Sequence, residues 1–170
     1  EATAVTAMDH IGRAQSIFNE YGIVPCYVVD YAIASQSRSV IPLKTYLDAG
    51  QCEIGAHLHP WVNPPVEEAL TRSNMYPGNL PEPLERQKLT RLRDTIAENF
   101  GITPTVYKAG RYGYGPNTTG ILTDLGFRID LSVCPPLDAR ADGGPDYRYY
   151  DASPFWYGPA ENRLLEIPVT

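Results

Sequence analysis

Four stretches of the chain place apolar residues at three- and four-residue steps, the spacing of one face of an α-helix. Glycine follows each stretch within three residues, and glycine commonly terminates helices. We therefore predict four amphipathic helices, over 6–21, 40–47, 82–99 and 116–125.

Short apolar runs lie between these helices and have the composition of strands that are buried on both faces. They cover 23–29, 52–56, 105–107, 127–133 and 164–169. Strands that alternate with helices require crossover connections, which favour a largely parallel sheet. We predict an α/β fold, a distorted or incomplete (β/α) barrel, with irregular loops over 60–83 and 134–162.

The composition is that of a globular chain that can bury one core: 43% of the 170 residues are hydrophobic and 20% are charged. We expect a single domain over 1–170. The net charge of -6 argues against nucleic acid or an anionic membrane as partner, and no apolar run is long enough to span a bilayer. A neutral or cationic small substrate fits this surface, and the oligomeric state stays open.

Three cysteines, Cys26, Cys52 and Cys134, are odd in number and far apart, so they form neither a disulfide framework nor a CxxC motif. We expect buried thiols and favour a reducing, cytoplasmic compartment. Because residue 1 is Glu, we interpret the chain as a fragment, a processed form or a trimmed form, and a mature secreted protein stays an alternative.

Two histidines directly follow the predicted strand 52–56. In parallel α/β folds the C-terminal strand ends carry the chemistry, and residues two apart in an extended segment point to the same side. His57 and His59 could therefore bind one metal ion, since imidazole is a common zinc ligand. The alternative is that they cap backbone groups in a polar loop.

Aromatic residues are frequent in the predicted loops, and flat rings match the apolar side of a sugar. Trp61 adjoins His59, and Tyr112 and Trp156 lie in later loops. We expect these three to contact a carbohydrate, although packing within the loops is the alternative for each.

Two cations and a carboxylate follow other predicted strands. Lys108 and Arg111 lie among glycines in a segment that matches neither phosphate-binding pattern. Asp130 ends an apolar strand, where a carboxylate is costly unless it is paired. We expect Lys108 or Arg111 to pair with Asp130 and orient it. Asp130 could instead bind metal, hold a histidine or cap a loop, and Arg111 could lie on the surface.

Together these segments resemble the polysaccharide deacetylases of the NodB homology type, carbohydrate esterase family four, and especially the divergent WalW-like subgroup. Segment 53–57 (EIGAH) resembles the family's second motif, which supplies a metal-binding histidine. Segment 107–110 (YKAG) resembles its third motif, and 125–132 (LGFRIDLS) resembles a strand of related members.

The chain also departs from that family's pattern. Trp61 stands where the family places its second metal histidine, so His59 is the nearby substitute. Lys108 replaces an arginine of the third motif. The first motif, which supplies acidic residues, would fall before Glu1, and the last, with a catalytic histidine, near or after Thr170. We therefore expect a domain that lacks these two motifs.

The resemblance implies a metal-dependent hydrolase, with zinc as the expected ion, that removes an acetyl group from an N-acetylated sugar or polysaccharide. It implies His57 as a metal ligand and His59 as a second metal ligand or a substrate contact, with Lys108, Arg111 and Asp130 as supporting catalytic groups. One alternative is a catalytically inactive carbohydrate-binding domain on the same fold. A second is a non-sugar amidase or glycoside hydrolase on this scaffold.

Overall fold

The sheet of this protein has six strands, and the computed structural model describes residues 3–170 of the chain. The strand order is β1-β2-β3-β4-β6-β5, and every neighbouring pair is parallel except β5 with β6. The strands are β1 (Cys26–Val29), β2 (Glu53–Leu58), β3 (Val106–Ala109), β4 (Ile129–Asp130), β5 (Phe155–Tyr157) and β6 (Leu164–Glu166).

Residues 3–170 contain five α-helices, of which α1 precedes β1 and the other four connect strands, and short 3-10 turns occupy parts of the remaining loops. The helices are α1 (Ile11–Glu20), α2 (Tyr31–Ala34), α3 (Ser37–Asp48), α4 (Glu82–Phe100) and α5 (Thr118–Asp124). A 3-10 turn over Thr6–His10 precedes α1, and three more lie within the loop 60–83.

The predicted fold class is confirmed: the sheet is mostly parallel and does not close. All four predicted helices and all five predicted strands are present, with shifted ends. Two elements were not predicted, the short helix α2 and the strand β5 inside the expected loop 134–162. The expected strand 127–133 shortens to two residues. The expectation of three buried thiols is confirmed for Cys52 only, since Cys26 is exposed and Cys134 is partly buried.

The strand register divides the sheet into two faces, because paired residues of neighbouring strands point to the same side. We call one the helix face, which carries Ala56, Tyr107, Asp130 and Glu166. Side chains of the helices cover this face in one apolar cluster: Leu43, Leu89, Leu92, Ile96, Ile121 and Leu122.

The opposite side, which we call the histidine face, carries Gly55, His57, Lys108 and Trp156. Gly55 is needed there, because a Cβ atom at this position would lie 2.9 Å from Val28 Cγ1 and 3.0 Å from the Val106 carbonyl oxygen. The helices pack on the helix face, so His57 and Lys108 stay only partly buried on the other side.

Within residues 3–170, no helix combines the length and the apolar character that crossing a membrane requires.

Candidate active site

His57 occupies the C-terminal end of β2, on the histidine face. Its Nδ1 donates a hydrogen bond to the Lys108 carbonyl oxygen of the neighbouring strand, 2.9 Å away. A carbonyl can only accept, so the proton lies on Nδ1 and the lone pair of Nε2 stays free. Burial and, after it, the charge of His59 lower the pKa of His57 to about 4. The ring is therefore neutral near pH 7, the form that binds metals.

His59 makes the corresponding contact with a carboxylate. Its Nδ1 lies 3.0 Å from Asp30 Oδ2, at the end of the adjacent strand β1. The other Asp30 oxygen, Oδ1, accepts from the Ile33 N–H at 3.0 Å and so caps α2. Burial favours the neutral acid, but the hydrogen bonds from His59 and Ile33 prevail and lower the pKa of Asp30. Asp30 therefore caps α2 and orients the His59 ring.

The two imidazoles are neighbours, with ring centroids 4.3 Å apart in an edge-to-face arrangement. Trp61 stacks on the outer side of His59 at 4.5 Å. Zinc-binding histidines typically donate the proton of their other ring nitrogen to an oxygen, as the Nδ1 atoms of His57 and His59 do here. They fit two positions of a divalent metal site. Residues 3–170 contain no cluster of three or more such ligands.

The loop after His59 is fixed by a lysine from α4 that is fully buried. Lys88 Nζ donates to the carbonyl oxygens of Pro60, Asn63 and Pro65 at 3.0, 2.7 and 2.6 Å. It also forms an ion pair of 3.0 Å with Glu68 Oε1. This ammonium group therefore determines the path of the segment that carries Trp61.

Lys108 lies beside His57 on β3 and has no carboxylate partner among the described residues. Its Nζ lies over the Tyr112 ring, 4.7 Å from the centroid, and burial lowers the pKa of the ammonium group. The turn that presents Tyr112 is strained, since Arg111 and Tyr112 have φ values of 54° and 59°. Left-handed conformations of such residues persist only where the surroundings impose them.

The predicted pairing of Lys108 or Arg111 with Asp130 is wrong. Arg111 instead binds Asp142 at 3.2 Å and lies over the Tyr76 ring, 4.6 Å from its centroid. Asp130 is on the helix face, two strands away from His57, or about 10 Å at the usual strand spacing. The sheet itself separates Lys108 from that carboxylate.

Asp130 nevertheless connects to the neighbouring strand through a serine. Ser132 Oγ donates to Asp130 Oδ1 and accepts from the Ala109 N–H at 2.8 Å. Tyr157 donates its hydroxyl to Asp130 Oδ2 at 2.9 Å. Asp130 therefore supports the end of β3, directly after Lys108, and does not itself reach the histidines.

Trp156 is on the histidine face but far from His57. It belongs to the edge strand β5, four strands from β2, which is about 19 Å along the sheet. Its side chain is 61% exposed. Trp61 and Tyr112 lie close to the histidines, whereas Trp156 could contact only a more distant part of an extended ligand.

The strand-end rule predicts that Asp30, His57, 108–112 and 130–132 converge. Asp30, His57 and Lys108 do so, whereas Asp130 lies on the helix face. The contact between Asp30 and His59 and the roles of Lys88 and Glu166 were not predicted. Lys88 has a local signal, because it lies on the apolar side of α4 one turn before Leu92. Glu166 has a weaker one: it replaces an apolar residue in a strand.

The chain therefore combines an open, mostly parallel sheet with two adjacent imidazoles at the C-terminal ends of its strands. No family model and no curated protein matches the chain. Several solved structures do match the chain. A protein from Mycobacterium smegmatis described as a polysaccharide deacetylase matches 94% of the chain with a TM-score of 0.66 and 22% identity. PuuE allantoinase matches 94% with a TM-score of 0.63 and 21% identity.

A third match is a protein from Pseudomonas aeruginosa PAO1, also described as a polysaccharide deacetylase, with a TM-score of 0.57, 22% identity and 94% of the chain covered. The alignments cover 45%, 43% and 43% of these three structures, so the chain spans less than half of their length. The chain has the (β/α) fold of these proteins, and the likeness establishes that fold.

Proposed function

We propose that this chain is part of a metal-dependent hydrolase that removes an acetyl group from an N-acetylated sugar or polysaccharide. The observation that carries the proposal is the imidazole pair. His57 and His59 have adjacent rings, each held at Nδ1 by an oxygen, at the C-terminal strand ends of a fold shared with proteins described as polysaccharide deacetylases. The narrower WalW-like assignment stays a prediction.

In this proposal His57 and His59 hold a divalent ion, with zinc as the expected one. The ion would polarise the acetamide carbonyl and activate water. Asp30 and the Lys108 carbonyl orient the two rings, so that both Nε2 lone pairs are available. Trp61 offers an aromatic face for a sugar ring next to the metal ligands.

The supporting groups act at different distances. Lys108 and Tyr112 line the surface beside His57 and are proposed to contact the substrate. Asp130 is proposed as a positioning residue, since Ser132 transmits its contact to Ala109. Arg111 is proposed to hold the Tyr112 turn through Asp142. Trp156 would bind a distant unit of a longer glycan.

A carbohydrate-binding domain without catalysis is the second candidate. The stack of Trp61 on His59 favours it, because Trp61 occupies the position at which the family pattern places the second metal-binding histidine. Such a domain would bind glycans equally well with and without a metal ion. The two candidates therefore differ in whether metal affects the chain.

A zinc titration by calorimetry on the chain tests the first candidate. We expect about one zinc ion per chain, bound through Nε2 of both histidines. His57→Ala and His59→Ala should each abolish binding. His10→Ala is the matched control, because His10 is exposed and belongs to the turn before α1, outside the sheet, and it should leave binding unchanged.

Circular dichroism of each variant verifies folding. Release of acetate from N-acetylated chitooligosaccharides, assayed in the same samples, then tests the substrate class. If the chain binds no zinc, cobalt or manganese, or if both alanine variants bind as the original does, the hydrolase proposal is wrong. Binding of the same oligosaccharides without metal would then support the second candidate.

A further inference from the structure

A cavity of about 150 Å³ lies on the helix face, at the C-terminal ends of β4 and β6. It is separate from the histidines, which are on the other side of the sheet. Its wall is a continuous series of five aromatic rings, in which neighbouring centroids lie 5.6 to 6.0 Å apart: Tyr114, Tyr157, Phe155, Tyr150 and Tyr147.

Three of the tyrosine hydroxyls already have hydrogen-bond partners. Tyr147 donates to the Tyr112 carbonyl oxygen at 2.7 Å, and Tyr114 is hydrogen-bonded to Thr119 at 2.6 Å. Tyr157 donates to Asp130 at 2.9 Å. The hydroxyls therefore anchor the rings, and the cavity is left with an aromatic lining.

Two carboxylates form the polar part of the cavity. Asp130 and Glu166 are register partners on neighbouring strands, and each is 1% exposed. Glu166 Oε1 accepts from the Val133 N–H at 2.9 Å, whereas Oε2 has no donor among the described residues, and the two carboxyl groups lie within hydrogen-bond reach of each other. Neither carboxylate forms an ion pair with a cation from residues 3–170.

This pair is costly in the free protein. Burial and, after it, the charge of Asp130 raise the pKa of Glu166, because two carboxylates at one buried site cannot both ionise easily. A cation placed between the rings and the pair would compensate the charge. Buried ionic groups generally require such a partner.

We propose that the cavity binds a small organic cation, an alkylammonium or quaternary ammonium group. The rings would enclose the cation through cation–π contacts, and Asp130 and Glu166 would supply the opposite charge. The volume suits such a group, since a cavity of about 150 Å³ in another protein holds a benzene molecule. A bare metal ion fits poorly, because most of the lining is aromatic carbon.

Calorimetry with choline tests this proposal, and its neutral isostere 3,3-dimethylbutan-1-ol is the matched probe. Both have the same shape, so a difference in affinity reports the charge. We expect choline to bind at least about tenfold more tightly than the isostere, which corresponds to about 1.4 kcal/mol. Equal affinities, or no binding of choline at millimolar concentration, would overturn the proposal.

Variants locate the site. Glu166→Gln keeps the size of the side chain and its acceptor for Val133, and it should weaken choline binding at least tenfold. Phe155→Leu removes one ring and should weaken it severalfold. Tyr149→Leu is the control, because this ring is 88% exposed and lies outside the cavity. The affinity of this variant for choline should not change.

The two variants also separate folding from binding. Glu166→Gln leaves the aromatic wall intact and Phe155→Leu leaves the carboxylate pair intact, so at least one folded variant remains informative. Unchanged choline affinity in both folded variants would place choline elsewhere and refute this site. Because the cavity contains no histidine, His57→Ala should leave choline binding unchanged.

Discussion

Replacement of Lys88 by methionine should be one of the most destabilising single changes in this protein. The lysine side chain is fully buried in α4, and its ammonium group contacts four oxygens of the segment 60–68. Methionine fills a similar volume but donates no hydrogen bond. Lys88→Met would therefore leave three carbonyls without their donor and the Glu68 carboxylate without its opposite charge.

The expected cost follows from the burial of these groups. Removing one partner of a buried ion pair typically costs about 3 to 5 kcal/mol, because the remaining charge stays buried without compensation. The total stability of a domain is only about 5 to 15 kcal/mol. Lys88→Met should therefore lower the free energy of unfolding by about 3 kcal/mol or more, and it should loosen the segment that carries Trp61.

Urea unfolding followed by circular dichroism measures this loss. Lys44→Met is the matched control, since Lys44 pairs with Asp48 on the surface with 40% and 60% of the side chains exposed, and such pairs contribute about 0 to 1 kcal/mol. The double variant Lys88→Met/Glu68→Gln should recover part of the loss by removing the orphaned charge. If Lys88→Met costs no more than Lys44→Met, the reasoning about this buried ammonium group is refuted.

Three further outcomes are expected. Gly110→Ala should destabilise the protein by about 1 to 3 kcal/mol, because its Cβ would lie 2.2 Å from the Leu58 carbonyl oxygen. Gly120→Ala should instead stabilise it by about 0.5 to 1 kcal/mol, because a Cβ there enters open space on α5. Thermal melts of the two variants measure this difference. Burial raises the pKa of Glu85 from 4.5 to about 7, so between these pH values the folded state keeps a proton that the unfolded state has lost, and the free energy of unfolding falls as pH rises. Glu85→Gln should reduce that loss by up to about 3 kcal/mol, and equal pH dependence of both proteins in urea titrations would contradict this expectation. Leu92→Ala should cost about 2 to 5 kcal/mol in the same urea assay, since Leu92 is fully buried in the core cluster, and a loss below about 1 kcal/mol would show that the core collapses around it.

Local patterns were sufficient for much of the fold. The apolar steps of α4 and the glycine after it predicted a helix of nearly the observed length. The short strand β5 was not predicted, because three aromatic residues among prolines and glycines show no clear alternation of apolar and polar positions. The segment forms a strand only because β6 offers it an unpaired edge, a contact that is absent from its own sequence.

The candidate site shows the same division. That His57 and His59 point to one side follows from the period of an extended chain, and that they lie near Asp30 and Lys108 follows from the parallel order of the strands. These inferences require only sequence. Their partners were not predictable in the same way: the ring of His59 selects Asp30 because β1 and β2 pair in one particular register.

The sequence by itself determined the order of helices and strands, the α/β class and the position of two histidines at a strand end. Only the tertiary structure decided which face each side chain occupies. Register in a parallel sheet depends on neighbours that are distant in the chain, and a shift of one residue exchanges the faces. For that reason Asp130 lies with Glu166 in an aromatic cavity, while Lys108, from the adjacent strand, lies with His57 on the opposite side.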